Sequence, residues 1–211
     1  MPFLLTFGDS NTHGTPPIAE RGEYRRLGPQ VRWPQVCWRA LGEGWELAEE
    51  GLPGRTAQYD DPVMGPHMNG RDGLKIALQS HGPVDVMTLM LGTNDVKTRF
   101  AATPEAVVAG IAGLLDVALS LEMQTRHGGF KVLLICPPPV EEVGPLRTEF
   151  WGGAARSRAL PPLYQALAAS RGVGFMDAGK VISVSPIDGV HYEAGAHGTL
   201  GLAVAEAVRG L

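Results

Sequence analysis

Cysteine, aromatic residues and concentrated charge are all scarce in this chain. Only two cysteines occur among 211 residues, which argues against a disulfide framework and favours two buried thiols. The formal net charge is -4, and lysine and arginine are scattered along the chain instead of forming one basic stripe. A nucleic acid is therefore not expected as a partner.

The chain also has no apolar run long enough to span a bilayer, so no membrane partner is expected. The first apolar stretch, residues 3–7, is too short for the apolar core of a signal peptide and has no basic segment before it. These observations predict a cytoplasmic protein. The length and the even composition predict a single domain over residues 1–211.

Metal-binding patterns are absent as well. The sequence contains six histidines, but none of them stands at a zinc-type spacing from another histidine or from a cysteine. We therefore expect no metal and no other cofactor.

Apolar runs and helix-like segments alternate along the chain. The runs that resemble strands are 3–7, 45–49, 84–91, 131–136 and 173–177, and the segments with helical spacing are 36–41, 73–81, 103–121, 154–170 and 196–211. Residues 84–91 are almost continuously hydrophobic, which predicts a central strand covered on both faces. The alternation predicts an α/β fold with three α/β/α layers, a flavodoxin-like, mostly parallel five-stranded sheet with helices on both faces.

One segment does not follow this alternation. Residues 137–153 are long for a connection between a strand and a helix, and they carry two large aromatic residues, Phe150 and Trp151. This pattern predicts a loop that folds over a pocket or contacts a second copy of the chain in a homo-oligomer. A small local core beneath the loop is the alternative.

Four candidate functional residues follow the predicted strands, at the edge of the sheet where α/β proteins have their active sites. Ser10 could cap a helix or act as a nucleophile, because a helix start stabilises an anion. Gly51 could be a turn glycine, or its N–H could approach a substrate that no side chain obstructs. Asn94 could cap a turn or donate a hydrogen bond to an oxyanion.

His191 is the fourth of these residues and the most informative. Asp188 stands three residues before it, so one carboxylate can reach the Nδ1–H of the imidazole and leave Nε2 facing a serine. The other five histidines have no such arrangement. Asp9, next to Ser10, is expected to brace its turn by hydrogen bonds.

Taken together, these motifs resemble the four sequence blocks of the SGNH hydrolase (GDSL esterase) superfamily, in order and over almost the whole chain. The blocks are Gly8-Asp9-Ser10-Asn11, Gly51, Gly92-Thr93-Asn94-Asp95 and Asp188-Gly189-Val190-His191. The resemblance implies Ser10 as nucleophile, His191 as general base and Asp188 as its orienting acid. It also implies an oxyanion hole formed by the backbone N–H groups of Ser10 and Gly51 and by the Asn94 side chain.

Within the superfamily, the chain is most similar to bacterial arylesterases of the type that includes the mycobacterial acyltransferase/perhydrolase. The similarity includes Arg32-Trp33, Arg55-Thr56 and Pro137-Pro138-Pro139. It implies a small-molecule ester as substrate, with short acyl groups on aryl or alkyl alcohols, and acyl transfer to alcohols or peroxide as a further activity.

The substrate pocket is less clearly marked in the sequence. The similarity to the arylesterases implies that Asn11, the last residue of the serine block, and His13 lie near the acyl pocket. Arg55 is expected at the entrance or in a surface ion pair. Phe150, Trp151 and Tyr192 are candidates for an apolar wall, with a role in the core or in a subunit contact as the alternative.

Three other functions remain open at this point. A carbohydrate O-acetyl esterase would use the same catalytic residues. A flavodoxin-like phosphate-handling domain would use Asp9 as acceptor, but it would need further acidic residues for Mg²⁺, and Asp9-Ser10-Asn11 supplies one carboxylate. A binding or scaffold protein would need no activated serine.

Overall fold

The computed structural model describes all residues from 1 to 211, and a parallel sheet of five strands forms its centre. The strands are β1 (Phe3–Gly8), β2 (Glu46–Gly51), β3 (Val86–Met90), β4 (Lys131–Cys136) and β5 (Gly174–Asp177). All neighbouring strands are parallel, in the order β2-β1-β3-β4-β5. β3 is central and every one of its residues is buried, as the hydrophobicity of residues 84–91 predicted.

Helices cover both faces of the sheet. They are α1 (Ser10–His13), α2 (Trp33–Leu41), α3 (Gly70–Ser80), α4 (Pro104–Ala118), α5 (Leu121–His127), α6 (Gly153–Arg158), α7 (Leu160–Arg171) and α8 (Ala194–Arg209). Helices α3, α4 and α7 contribute to the core on one face, whereas α2 and α8 form the core on the other. The predicted three-layer α/β/α architecture is therefore confirmed.

The side chains of β1 show how the sheet separates the two cores. Leu5 and Phe7 belong to the core with α3, α4 and α7, whereas Leu4 belongs to the core with α2 and α8. All three side chains are fully buried. Successive residues of a strand point to opposite faces, so an almost continuous apolar run is needed when both faces are covered.

The segment predicted as one helix over 154–170 is in fact two helices, α6 and α7. The reason lies in Pro161 and Pro162 at the start of α7. A proline ring clashes with a preceding helical turn and has no N–H to donate, so these residues are tolerated in the first turn of a new helix.

The segment predicted as a helix over 103–121 ends at Ala118, and α5 follows as a separate helix. Thr103 caps α4, with its hydroxyl accepting a hydrogen bond from the Ala106 N–H at 3.2 Å. Ser120 caps α5, with its hydroxyl accepting a hydrogen bond from the Met123 N–H at 3.3 Å. The serine therefore gives α5 its own start.

Both cysteines are free and buried, which confirms the expectation of two separate thiols. Cys37 lies in α2 and Cys136 ends β4. Burial raises the pKa of Cys37 to about 12. Neither thiol is therefore poised for thiolate chemistry.

No single helix of the chain is long and apolar enough to cross a membrane. Helices α4 and α5 reach the necessary length and composition only as a pair, and a bend of 51° separates them. Both helices contribute side chains to the core beside the sheet.

Candidate active site

Ser10 stands where β1 passes into α1, at the carboxyl edge of the sheet. Asp9 caps the short helix, with Oδ1 accepting a hydrogen bond from the Asn11 N–H at 2.9 Å. Ser10 is therefore the first residue of α1, and it is 5% exposed. The expected bracing role of Asp9 agrees with this contact.

Ser10, His191 and Asp188 form a chain of hydrogen bonds. The Oγ of Ser10 lies 3.1 Å from Nε2 of His191, although the two residues are 181 positions apart in the sequence. The Nδ1 of His191 lies 2.7 Å from Oδ2 of Asp188. In the tautomer that carries its proton on Nδ1, His191 donates to Asp188 and presents Nε2 as an acceptor to Ser10.

The carboxylate of Asp188 accepts three further hydrogen bonds from the backbone. The N–H groups of Val190 and His191 donate to Oδ1, each at 2.9 Å, and the N–H of Ile18 donates to Oδ2 at 2.8 Å. Burial alone would raise the pKa of Asp188, but the bond from His191, its charge and the backbone donors outweigh burial and hold the pKa below its usual range. Asp188 therefore stays ionised beside the imidazole.

The loop that carries Asp188 and His191 depends on Gly189. This residue has a φ of 72°, in the left-handed region that favours glycine. A Cβ at this position would also collide with the carbonyl oxygen of Glu141, whose own N–H donates to the carbonyl of Gly189 at 2.8 Å. The glycine thus lets the loop dock on the segment after β4 and places the histidine over the serine.

Asn94 follows β3 and brings an amide group to the same place. Its Nδ2 donates to the carbonyl of Arg55 at 3.1 Å and makes a longer contact of 3.4 Å with Oδ2 of Asp9. Burial raises the pKa of Asp9 to about 6, although the Asn11 N–H and the charge of His191 oppose the shift. The Asn94 side chain is 4% exposed and lines the same cavity as Ser10 and His191.

Gly51 ends β2 directly beside Gly8 of β1. A Cβ at residue 51 would collide with the backbone nitrogen of His13 and lie 2.6 Å from its Cα. Only glycine therefore lets α1 pack this closely against the end of β2. Gly51 does not line the cavity. Pro53 and Gly54, in the loop that follows β2, line it instead.

A cavity with a volume of about 170 Å³ opens above Ser10, Asn94 and His191. Much of its wall is apolar: Ile18, Tyr24, Met64, Leu146, Phe150 and Val190. These residues come from loops that are far apart in the sequence, and the carboxyl edge of the sheet brings them together. The cavity suits a small ligand with an apolar part and one reacting polar group.

Phe150 is the one predicted pocket residue that lines this cavity, and it also belongs to the core beneath the loop. Trp151, its neighbour, does not line the cavity and is 62% exposed. Tyr192 takes the alternative role that the sequence left open for it, because it is buried in the core with α2 and α8. Adjacent residues thus point in different directions, and the apolar wall contains neither Trp151 nor Tyr192.

Asn11 and His13 do not line the cavity either. Asn11 is buried and its Nδ2 donates to the carbonyl of Val190 at 3.2 Å, so it braces the loop that carries His191. The ring of His13 lies 6.3 Å from the ring of Tyr24. Both residues support elements around the site and do not form its surface.

The prediction of Arg55 at the entrance or in a surface ion pair is wrong. Arg55 is 6% exposed and its Nη1 donates to the carbonyl oxygens of Gly8, at 3.0 Å, and Glu50. Its guanidinium also lies over the ring of Phe7, 4.1 Å from the centroid. Burial lowers the pKa of Arg55 to about 10. The residue ties the carboxyl ends of β1 and β2 together.

Sequence reasoning missed several residues of the cavity. Lys97 lines it and is 6% exposed, and its position three residues after Asn94 was the available signal. Ile18, Glu23 and Tyr24 also line the cavity, but they belong to an irregular segment with no helix or strand pattern. Nothing in the sequence of that segment indicated which of its side chains would line the cavity.

Comparisons with known proteins agree with this architecture. Residues 6–198 match the GDSL-like lipase/acylhydrolase family. No curated protein matched the sequence at a significant level. Among solved structures, an aryl esterase of M. smegmatis is 38% identical, with a TM-score of 0.94 and 100% of each chain covered.

Two further structures extend the comparison. A carbohydrate acetylesterase from Sinorhizobium meliloti is 36% identical, with a TM-score of 0.93, and the match covers 100% of this chain and 99% of the other. A lipase/acylhydrolase from Enterococcus faecalis is 20% identical, with a TM-score of 0.66, and covers 100% of this chain and 96% of its own. The last likeness concerns the fold alone.

Proposed function

The chain belongs to the GDSL-like lipase/acylhydrolase family and is a carboxylic ester hydrolase, and from this premise we propose that Ser10 is its nucleophile. The observation that carries the proposal is the hydrogen-bonded chain from Ser10 through His191 to Asp188, which opens onto the cavity. His191 acts as general base, and Asp188 holds its tautomer and stabilises the imidazolium that forms.

The reaction proceeds in two steps. Oγ of Ser10 attacks the ester carbonyl while Nε2 of His191 takes the hydroxyl proton, and the resulting imidazolium then protonates the departing alcohol. An acyl-serine remains. Water, activated by the same nitrogen, attacks this second ester, and the carboxylic acid leaves as Ser10 recovers its proton.

Three donors are proposed for the oxyanion that forms in each step: the N–H of Ser10, the amide of Asn94 and the backbone N–H of Gly51, which ends β2 just before Pro53 and Gly54 reach the cavity wall. The start of α1 supplies a favourable field for an anion at Ser10. The Asn94 amide makes two contacts. The 3.1 Å bond to the Arg55 carbonyl holds the amide in place, and an oxyanion would replace the weaker 3.4 Å contact to Asp9.

Short acyl esters of aryl and alkyl alcohols are the proposed substrates. The volume of about 170 Å³ and the apolar wall that includes Leu146 and Phe150 support a small acyl group with a small apolar alcohol. The similarity to the aryl esterase of M. smegmatis supports the same class.

A carbohydrate O-acetyl esterase is the second candidate, and the 36% identity to the acetylesterase from Sinorhizobium meliloti favours it. Acyl transfer is a further proposed activity, since an alcohol or peroxide can replace water in the second step. The acyl-serine is the same in all of these reactions, so the acceptor and the leaving group distinguish them.

A panel of esters tests these proposals. Rates of hydrolysis of 4-nitrophenyl esters of increasing acyl length, of alkyl acetates and of O-acetylated sugars would be compared, each with and without an added alcohol. The proposal expects the highest kcat/KM for short acyl aryl esters. A preference for acetylated sugars would favour the second candidate, and ester formation with the added alcohol would demonstrate acyl transfer.

We further propose that the chain acts as one domain in the cytoplasm. Two cores share one sheet, and both cysteines are free and buried, which fits a compartment where disulfides are rare. A homo-oligomer is also proposed, because the exposed Trp151 leaves an apolar surface that a second copy could cover. Light scattering of the purified protein would measure the number of subunits.

A further inference from the structure

Lys97 has an unusual position in the cavity. The residue is 6% exposed, yet its ammonium group forms no hydrogen bond and no ion pair with the protein. Its Nζ lies 5.7 Å from the centroid of the Phe150 ring. The backbone is fixed on both sides, because the Lys97 N–H donates to Asn94 at 3.1 Å and its carbonyl accepts from Phe100 at 3.1 Å. Lys97 thus has a fixed place in the wall of the cavity that Ser10 and His191 also line.

The carboxylates around Lys97 already have other partners. Asp61 pairs with Arg99 at 2.6 Å. Glu149, which also lines the cavity, pairs with Arg99 at 3.4 Å and with Arg21 at 3.7 Å. The arginines therefore neutralise these acids, and Lys97 is left as a cation without a bonded counter-ion.

The remaining acid of the cavity wall is occupied in the same way. Glu23 accepts a hydrogen bond from the Ala19 N–H at 2.9 Å and pairs with Arg25 at 3.3 Å. Lys97 is largely withdrawn from bulk water while its Nζ still reaches the cavity, so a ligand there that supplies an acceptor offsets the hydration that the ammonium has lost. The cavity therefore offers a ready site for an anion next to Ser10.

We propose that Lys97 forms an anion-binding subsite, and that the enzyme prefers esters that carry a carboxylate over neutral esters of the same shape. The inference rests on the proposed role of Ser10 and adds the substrate class to it. The ester is cleaved as described above, while the carboxylate of the substrate accepts a hydrogen bond from Nζ. A bond between charged groups corresponds to a preference of roughly ten- to a hundredfold.

The carboxylate can belong to the alcohol or to the acyl part, and two pairs of substrates distinguish these cases. For the alcohol part, 4-acetoxybenzoate is compared with 4-acetoxybenzamide. For the acyl part, monoethyl fumarate is compared with ethyl fumaramate. In each pair the carboxylate is replaced by an uncharged amide of similar shape, so the ratio of the two kcat/KM values reports the effect of the charge.

Three variants supply the comparison. Lys97→Met removes the charge and keeps an apolar chain of similar length beside Phe150, whereas Lys97→Arg keeps the charge. Lys75→Met is the control, because Lys75 lies on α3 with a side chain that is 47% exposed, and its loss changes the net charge equally. For each pair of esters, the ratio of the two kcat/KM values in the wild type is divided by the same ratio in the variant. This quotient cancels the different intrinsic reactivities of the two esters.

We expect this quotient to be roughly ten to a hundred for Lys97→Met in at least one pair, and near one for Lys75→Met. Lys97→Arg should retain most of the preference. An effect in one pair alone would place the subsite on that side of the ester. Equal ratios in the wild type and Lys97→Met for both pairs would overturn the inference, whereas failure of the wild type to hydrolyse even the neutral esters would overturn the proposed function.

The dependence on pH gives a second readout. Burial lowers the pKa of Lys97 to about 8; the charge of Arg99 lowers it further, and Glu149, Asp61 and Asp9 oppose the shift. The wild-type preference for the carboxylate should therefore decline as the pH rises through about 8, because the ammonium loses its proton. The preference of Lys97→Arg should stay constant in this range, and a parallel decline in both proteins would contradict the inference.

Discussion

The residues of the site are stabilised mainly by backbone donors. Asp188 accepts three backbone N–H groups in addition to Nδ1 of His191. Each such bond favours the ionised carboxylate over the protonated one. The orientation of His191 therefore follows from the conformation of its own loop, which Asn11 and the Ile18 N–H support from other parts of the chain.

Asn94 provides a test of the proposed oxyanion hole. We expect Asn94→Ala to lower kcat for 4-nitrophenyl acetate by about a hundred- to a thousandfold with a smaller change in KM, because the donor acts mainly in the transition state. Asn69→Ala is the control, since Asn69 caps α3 and does not line the cavity. A kcat close to that of the wild type would remove Asn94 from the oxyanion hole.

Asp95 provides a test of stability against pH. It is fully buried, and burial raises its pKa to about 7, although the Ala57 N–H, which donates to both oxygens, opposes the shift. An acid with a raised pKa in the folded state contributes stability that is complete below its unfolded pKa and is lost as the pH rises through the folded value. The Asp95 contribution should therefore make the free energy of unfolding decline between about pH 4 and pH 7; Asp9 adds to this decline, whereas His197, whose pKa burial lowers to about 4, opposes it.

Denaturant unfolding at several pH values would measure this decline. We expect Asp95→Asn to flatten the profile and to be more stable than the wild type above about pH 7, by an amount on the order of a few kcal/mol. Asp72→Asn should leave the profile unchanged, because the Asp72 side chain is 85% exposed. If the free energy of unfolding of Asp95→Asn changed with pH as it does in the wild type, the Asp95 carboxyl would not be the source of the decline.

Secondary-structure elements determine where these residues stand, and α1 packs closely on the end of β2 at the site. Gly51→Ala places a Cβ against the backbone of His13, which cannot move without displacing α1 and Ser10. We expect a destabilisation of about 1–3 kcal/mol and a lower kcat, measured by Tm and by ester hydrolysis.

Gly113→Ala is the matched control for this substitution. Gly113 lies within α4, and an added Cβ would meet nothing within 4 Å. Alanine is the better helix former, so the control should be slightly stabilised and fully active. Wild-type Tm and kcat in Gly51→Ala would contradict the packing described above.

The segment 137–153 gives a test of specificity. Leu146 lines the cavity, whereas Trp151 is exposed outside it. We expect Leu146→Ala to change the ratio of kcat/KM for phenyl acetate and ethyl acetate several-fold, because it removes part of the apolar wall. Trp151→Ala should leave the ratio unchanged, and the opposite pattern would mean that Trp151 and not Leu146 contacts the substrate.

The sequence predicted the sheet and most helices because long periodic segments carry a strong signal. It predicted the contact between Asp188 and His191 because a carboxylate three residues before a histidine can reach its imidazole. Irregular segments carry no such periodicity. The opposite environments of Phe150 and Trp151, and the places of Ile18 and Tyr24 in the cavity wall, follow from tertiary contacts. The burial of Arg55 was also unpredictable, since arginine is rarely buried.

At the scale of the whole molecule, the site exists because parallel strands end at one edge. Ser10 follows β1, Asn94 follows β3, and the loop with Asp188 and His191 lies between β5 and α8. The core on each face of the sheet fixes these strands relative to one another. The 3.1 Å contact between Ser10 and His191 is therefore a property of the complete fold and not of any short segment.

The most direct test is covalent labelling of the wild-type protein with a fluorophosphonate, followed by mass spectrometry of the intact chain and its peptides. A serine activated by a neighbouring histidine should attack the probe, so we expect one phosphonyl group per chain, located on Ser10, and none on Ser10→Ala. A label on another residue, or labelling of Ser10→Ala at the wild-type rate, would contradict the assignment of Ser10 as the nucleophile.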